Sequence, residues 1–210
     1  MSSSAPHRGV YPTPPPLVSW VVRAVHQLLQ DRFALDGGLA HPEVRLLDPA
    51  AGPLNFLLAA WKLALGDHLS RGGEPAELLA SHLLPHTHGI EILPEACRRG
   101  RSELRAFRAP PLAYSRIEAR LLVCGDALAG PAAGESIADG LPVILGNPPW
   151  IGFNPHRGAW IYALLGGYRL LDGRTDPGCY LVDGLPLDER NPKWIQDDCI
   201  KFLRLAQWIV

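Results

Sequence analysis

Four short apolar runs in this chain end at a side chain that can accept hydrogen bonds, and that recurrence limits the fold more than any other feature. Val44-Arg45-Leu46-Leu47 stops at Asp48, and His88-Gly89-Ile90-Glu91-Ile92 ends near Glu91. Ala119 to Cys124 is followed by Gly125-Asp126, and Val143-Ile144-Leu145-Gly146 stops at Asn147. Runs of this length between turn formers, alternating with helical periodicity, predict a parallel, doubly wound α/β sheet. Residues just past the carboxyl ends of its strands fall along one edge, where open α/β sheets bind ligands.

The intervening segments fit that plan. Leu17, Val18, Val21, Val22, Val25, Leu28 and Leu29 recur at helical spacing after the Pro-rich entry of 8–16. Pro49-Ala50-Ala51-Gly52-Pro53 turns into an apolar helix from about Leu54 to Leu65, and Gly66 to Glu74 reads as a loop. Pro75 to Leu84 is a short helical stretch, Pro94 is suited to open the next helix, and Ala129 to Gly140 is rich in small and turn-forming residues. With 47% hydrophobic and 20% charged residues in 210, the chain has the composition of one globular domain or a piece of a larger one.

A formal net charge of −1 gives no global attraction to nucleic acid, which leaves only a local basic face for that purpose. Cys97, Cys124, Cys179 and Cys199 form no C-x-x-C pair, which argues against a zinc site or a disulfide framework and for a reducing cytoplasm. No metal is expected. Pro53 to Leu65 is the longest apolar stretch and is too short for a membrane span, and the first residues carry no signal core.

Asn147-Pro148-Pro149-Trp150 concentrates the chemistry. Two prolines fix φ and remove N–H groups, and Pro148 biases Asn147 toward extended backbone, so the Asn147 amide and the following carbonyls are held in place. Trp150 adds a flat face beside two acceptor oxygens, an arrangement suited to a planar ring bearing an amino group. An acid after the second strand, Glu91, can accept from both hydroxyls of a ribose, and one after the third, Asp126, from an adenine amino group. Each acid alone would read as a turn or cap residue; the set at successive strand ends suits a nucleoside-bearing cofactor. The absence of Gly-x-Gly-x-x-Gly after the first strand speaks against a dinucleotide-binding dehydrogenase.

These residues resemble the amino-methylating DNA methyltransferases that use S-adenosylmethionine, in the gamma order with cofactor motifs before the catalytic one. Arg8-Gly9-Val10-Tyr11-Pro12-Thr13-Pro14 is similar to the amino-terminal segment that closes over the methionine end of the cofactor, and Asp48-Pro49-Ala50-Ala51-Gly52-Pro53-Leu54-Asn55-Phe56 to the Asp-Pro-Ala-Cys-Gly-Ser-Gly-Asn-Phe loop. Gly89-Ile90-Glu91-Ile92 and Gly125-Asp126-Ala127-Leu128 resemble the ribose and adenine motifs, and Asn147-Pro148-Pro149-Trp150 the catalytic tetrapeptide. The tail, Arg190 to Asp198 with Phe202 to Trp208, looks most like the methylase region of large single-chain restriction-modification enzymes.

The resemblance implies a Rossmann-like methyltransferase sheet with flanking helices, incomplete in this chain. It implies S-adenosylmethionine held by Thr13, Asp48, Ala50, Gly52, Glu91, Ile92, Asp126 and Ala127, with Asn147, Pro148, Pro149 and Trp150 catalytic. The partner is DNA presenting a flipped adenine, with the remainder of a split enzyme as a second partner and no membrane. Asn154, His156 and Arg157 stand close enough in sequence to touch the target strand. The chain then reads as one truncated catalytic domain, 1–210: an amino-terminal segment and helix at 1–38, a core at 39–150, and a post-catalytic loop and helix at 151–210.

Departures from the family pattern sharpen the expectations. Leu54 stands where the family has glycine, so its side chain is expected to crowd the cofactor loop and weaken binding, with Leu54→Gly restoring it. Pro53 removes an N–H, and Pro12 replaces a usual Tyr. The early end at Val210 predicts an uncovered sheet edge and apolar face. The alternative reading is a methyltransferase remnant or split-gene subunit without turnover.

Overall fold

The computed structural model describes residues 12–107, 120–132, 139–150, 158–169, 175–176, 178–182, 185–187 and 197–210. The chain divides into two compact units, one made of Pro12–Ala127 with Glu135–Asn147, the other of Met1–Tyr11, Leu128–Gly134 and Pro148–Val210.

In the first unit the helix α1, Pro15–Phe33, precedes the strand β1, Val44–Asp48. The helix α2, Asn55–Ser70, follows, then a short α3, Pro75–Leu78, that runs into a π-helical turn at Leu79–Leu83. After these come β2, Thr87–Glu91, α4, Pro94–Ala106, β3, Leu122–Cys124, and β4, Leu141–Ile144. The four strands form one sheet in the order β3-β2-β1-β4, and each neighbouring pair is parallel. Rossmann-like α/β architecture follows from that pairing, with Asp48 opposite Gly89 and Glu91 opposite Cys124.

One face of the sheet carries the core. Val44 and Leu46 of β1, Leu122 of β3 and Val143 of β4 pack with Val18, Val22 and Leu29 of α1 and with Phe56, Leu57, Ala60 and Trp61 of α2. Trp61 is buried, and its Nε1–H donates to Thr87 Oγ1 at 2.9 Å, so the one polar atom of the indole is satisfied inside the core. α1 exists because Val18, Val22 and Leu29 recur on the buried side, with Pro15 and Pro16 in its first turn, where missing N–H groups cost nothing.

Three expectations are corrected. α2 runs to Ser70 and not Leu65: backbone hydrogen bonding carries through the single Gly66 until the Arg71 N–H closes the helix on the Asp67, His68 and Leu69 carbonyls. β3 begins at Leu122; Arg120 and Leu121 precede it in helical conformation, and Ala119 lies outside the described residues. Leu54 does not project its side chain outward from the loop after β1. Its φ is 70°, a left-handed conformation that turns the side chain inward, where it is fully buried. Its Cδ2 and Cγ would lie 3.2 Å from Cβ atoms built on Gly89 and Gly100, so it fills the space between β2 and α4.

The outer edges of β3 and β4 have no strand partner among the described residues. The sheet face opposite the core is partly covered: Val123 is exposed and Ile90 and Ile144 are half-buried, whereas Leu47 is fully buried.

The second unit contains the helix α5, Ala159–Gly166, the two-stranded ribbons β5–β6, Tyr168–Arg169 with Thr175–Asp176, and β7–β8, Leu181–Val182 with Leu185–Pro186, and the helix α6, Asp198–Ile209. Trp160 meets Trp208 edge to face, and Lys201 and Asp198 form a fully buried ion pair at 2.9 Å. Arg204 donates to the Leu164 carbonyl at 2.8 Å and pairs with Asp176. Arg8 to Tyr11, Asn154, His156, Arg157 and Arg190 to Gln196, all singled out in the sequence, lie outside the described residues. Among the described residues no helix is long and apolar enough to cross a membrane.

Candidate active site

Parallel pairing brings Asp48, Glu91, Asp126 and Asn147 to the carboxyl edge of the sheet, each at or within three residues of the end of its own strand. The loop after β1 is tied down at three successive N–H groups. Ala50 donates to Asp48 Oδ1 at 3.0 Å, Ala51 to the Ile90 carbonyl at 2.9 Å and Gly52 to Glu91 Oε2 at 2.8 Å. Pro53 has no N–H, and Leu54 donates to the Ala51 carbonyl at 2.8 Å. A phosphate cradle needs such groups pointing outward. Here they point into the protein.

Glu91 is the hub of the arrangement. Its Oε1 accepts from Leu93 N–H at 2.7 Å while Oε2 holds Gly52, and its own carbonyl accepts from Gly125 N–H at 2.9 Å and from the Cys97 thiol at 3.2 Å. Burial, with the neighbouring Cys124 thiol adding to it, pushes the Cys97 thiol up to about 12, so it remains a donor. Ile92, next in sequence, is exposed, as is Asp126, whereas Ala127 is buried.

Asp48 is buried, at 1% exposure. Desolvation raises its carboxyl to about 7, the Ala50 N–H opposes that shift, and the Glu91 carboxylate adds to it. The carboxyl leans on the segment just after β4: a Cβ built on Gly146 would stand 2.3 Å from Asp48 Oδ1. A side chain immediately before Asn147 would have to displace that carboxyl. Asn147 in turn donates from Nδ2 to Thr13 Oγ1 at 3.1 Å, joining residues 134 positions apart. Thr13 and Asn147 are half-buried. Pro148 and Pro149 are half-buried and Trp150 is exposed, and these three belong to the second unit.

The structure thus gathers Thr13, Asp48, Ala50, Gly52, Glu91 and Asn147 into one connected set, with Ile92 and Asp126 on the same edge. Sequence reasoning missed Gly146, Leu93 and Cys97. A glycine closing an apolar strand is a signal of close backbone approach and could have marked the first; nothing in the sequence marks the other two. Among the described residues no three His, Cys, Asp or Glu side chains gather as a metal site would require. A depression of about 410 Å³ lined by His68, Gly73, Glu74, Glu77, Leu78 and Ser81 lies near the far end of α2. That helix carries the chain about 24 Å from the strand edge, so the depression is separate from this chemistry.

Neither a protein-family model nor a curated protein matches the chain. Solved structures do. The ATP-dependent Type ISP restriction-modification enzyme LlaBIII bound to DNA is similar over 92% of this chain, at TM-score 0.68 and 16% identity. A nuclease-deletion mutant of the Type ISP restriction-modification enzyme LlaGI with a DNA substrate mimic is similar over 96%, at TM-score 0.68 and 14% identity. The DrdV–DNA complex is similar over 96%, at TM-score 0.64 and 20% identity. The chain spans 14%, 17% and 19% of those three chains. Likeness at such identities establishes the fold, which this chain shares with one region of each of these much longer chains.

Proposed function

We propose that this chain is the cofactor-binding and catalytic region of an S-adenosylmethionine-dependent DNA adenine-N6 methyltransferase of a restriction-modification system. The observation that carries the reading is the single strand edge that joins Glu91, the tied loop, Asp48 and the Thr13–Asn147 pair. A loop whose N–H groups are spent inside the protein favours an adenosyl ligand without phosphates over a dinucleotide.

The residues fit that ligand. A carboxylate has about four lone-pair positions, and the N–H groups of Gly52 and Leu93 use two at Glu91, leaving capacity for a ribose diol. Ile92 offers exposed apolar surface for a planar base, and Asp126 an exposed acceptor for its amino group. When bound, S-adenosylmethionine supplies an electrophilic methyl group on a cationic sulfur.

The chain's own part is to hold the amine. With the Asn147 amide nitrogen donating to Thr13, the amide oxygen is the group assigned to accept from an amine N–H. The Pro148 carbonyl is the second acceptor. Two acceptors draw an aromatic amine from planar toward tetrahedral geometry, which localises its lone pair, and held geometry of this kind supplies most of the rate advantage. Trp150, exposed, offers its face to a base taken out of the stack. The three similar structures are described with DNA, which supports DNA as the bearer of the amine.

The test is transfer of a labelled methyl group to mixed-sequence DNA by the chain and by Asn147→Ala. Label in N6-methyladenine that drops about a hundredfold in the variant supports the reading. Label in another base, or equal label in both proteins, overturns it. Cofactor binding with no Asn147-dependent transfer would replace it with that of a methyltransferase remnant that has lost turnover.

A further inference from the structure

Two thiols meet at the carbonyl of Glu91, and the chemistry proposed above uses neither. Cys97, in the first turn of α4, is buried at 1% exposure, and its thiol donates to the Glu91 carbonyl at 3.2 Å. The same oxygen accepts at 2.9 Å from the N–H of Gly125, the residue after Cys124. Cys124 itself stands in register with Glu91 across the parallel β2–β3 pair. Alternation along β3 puts Cys124 on the same face as Leu122. That face is the one α4 covers, since a Cβ built on Gly100 would stand 2.9 Å from Leu122 Cδ2. The two cysteines therefore approach each other between β3 and α4, close enough for a thiol–thiol hydrogen bond, and both are free.

They differ in access. Cys124 is exposed, whereas Cys97 is enclosed and keeps its proton on a carbonyl acceptor. An oxidant in solution reaches the exposed thiol first, and a thiol beside it consumes the sulfenic acid that forms. We infer that Cys97 and Cys124 are an oxidisable pair, in which Cys124 takes an oxygen from hydrogen peroxide and Cys97 resolves the product to a disulfide. In the first step the Cys124 sulfur attacks the peroxide, the O–O bond breaks, and a sulfenic acid and one water form. In the second the Cys97 sulfur displaces that oxygen: an S–S bond forms, the S–O bond breaks, and the Cys97 proton leaves with the oxygen as a second water. The two sulfurs together give up two electrons, and the peroxide takes them. Nothing in this chemistry depends on which ligand the strand edge binds. The bond ties the carboxyl end of β3, just before Asp126, to the first turn of α4, and it takes the sulfur donor away from the Glu91 carbonyl. In a reducing compartment such a bond is transient and responsive, not a permanent staple.

The test treats the reduced full chain with hydrogen peroxide under native conditions, blocks the remaining thiols and maps the peptides without reduction. Free thiols should fall from four to two, with one intramolecular link between Cys97 and Cys124 that a dithiol reductant reverses. Cys97→Ala keeps the exposed thiol and removes the resolving one; its fold is checked by its melting curve. In that variant the sulfenic acid trapped at Cys124 by a cyclic dione should rise about tenfold over the wild type, because no thiol beside it consumes that species. Should the variant not fold, the wild-type peptide map decides alone. A Cys97 that stays free while Cys124 is oxidised, a link from either residue to Cys179 or Cys199, a link between two chains, or an unreactive Cys124 overturns the inference. Equal trapping in wild type and folded variant overturns it as well.

Discussion

Leu54 holds a backbone conformation that costs a non-glycine residue about 1–3 kcal/mol, and its side chain repays that by filling the space between β2 and α4. Leu54→Gly relieves the first term and forfeits the second, which for a fully buried leucine is about 2–5 kcal/mol. The expected net is a loss of about 1–3 kcal/mol in urea unfolding, with no gain in cofactor affinity; a more stable variant would show that strain dominates. Asp48 makes a prediction with a sign. Its folded-state carboxyl titrates near 7, above the unfolded value of 3.8, so between those values the native state binds the extra proton. Stability is undiminished below about pH 4, falls as pH rises to about 7, and is flat beyond, a loss of at most about 4 kcal/mol. Asp48→Asn removes this slope, which unfolding curves at pH 5 and pH 8 would reveal. The sequence made Asp48 a candidate but gave no hint that its carboxyl leans on Gly146, because that contact crosses from β1 to the segment after β4 and is set by strand order.

Elements were legible in proportion to how local their causes are. β1 was expected at Val44 to Asp48 and stands there, since its bounding turn residues and apolar run are contiguous in sequence. The opening of α4 at Pro94 was equally visible. Strand order, the inward turn at Leu54 and the π-helical turn at Leu79–Leu83 were not, because each depends on what packs against it from a distance. The Gly146 contact can be tested as a coupling between elements. Gly146→Ala places a Cβ in the space held by the Asp48 carboxyl and should cost about 1–3 kcal/mol. In an Asp48→Ala background most of that cost should vanish, and additivity in the double-mutant cycle would show that the Asp48 carboxyl does not meet Gly146.

At the scale of the whole molecule the chain is two compact units. The first is an apolar core on one face of a parallel sheet. The second buries Ile161, Leu164, Leu165, Phe202 and Leu205 and, among them, encloses the Lys201–Asp198 pair of α6. Lys201→Met should destabilise that unit by about 3–5 kcal/mol by removing one member of a buried ion pair, and adding Asp198→Leu should recover part of the loss. Selective loss of protection in α5 and α6 by hydrogen exchange would check it. The short ribbons and this ion pair were invisible in the sequence, which offers only an amphipathic segment and scattered turn residues there. A net charge of −1 leaves DNA affinity to local surfaces, so the direct probe of the central claim is the cofactor and not the nucleic acid. Calorimetric titration of the full chain with S-adenosylmethionine, compared with Asp126→Ala, tests it at an exposed residue whose loss spares the core. The account predicts one equivalent bound by the wild type and affinity about tenfold weaker in the variant, the value of one hydrogen bond to a carboxylate. No binding by the wild type, or equal affinity in both proteins, would contradict it.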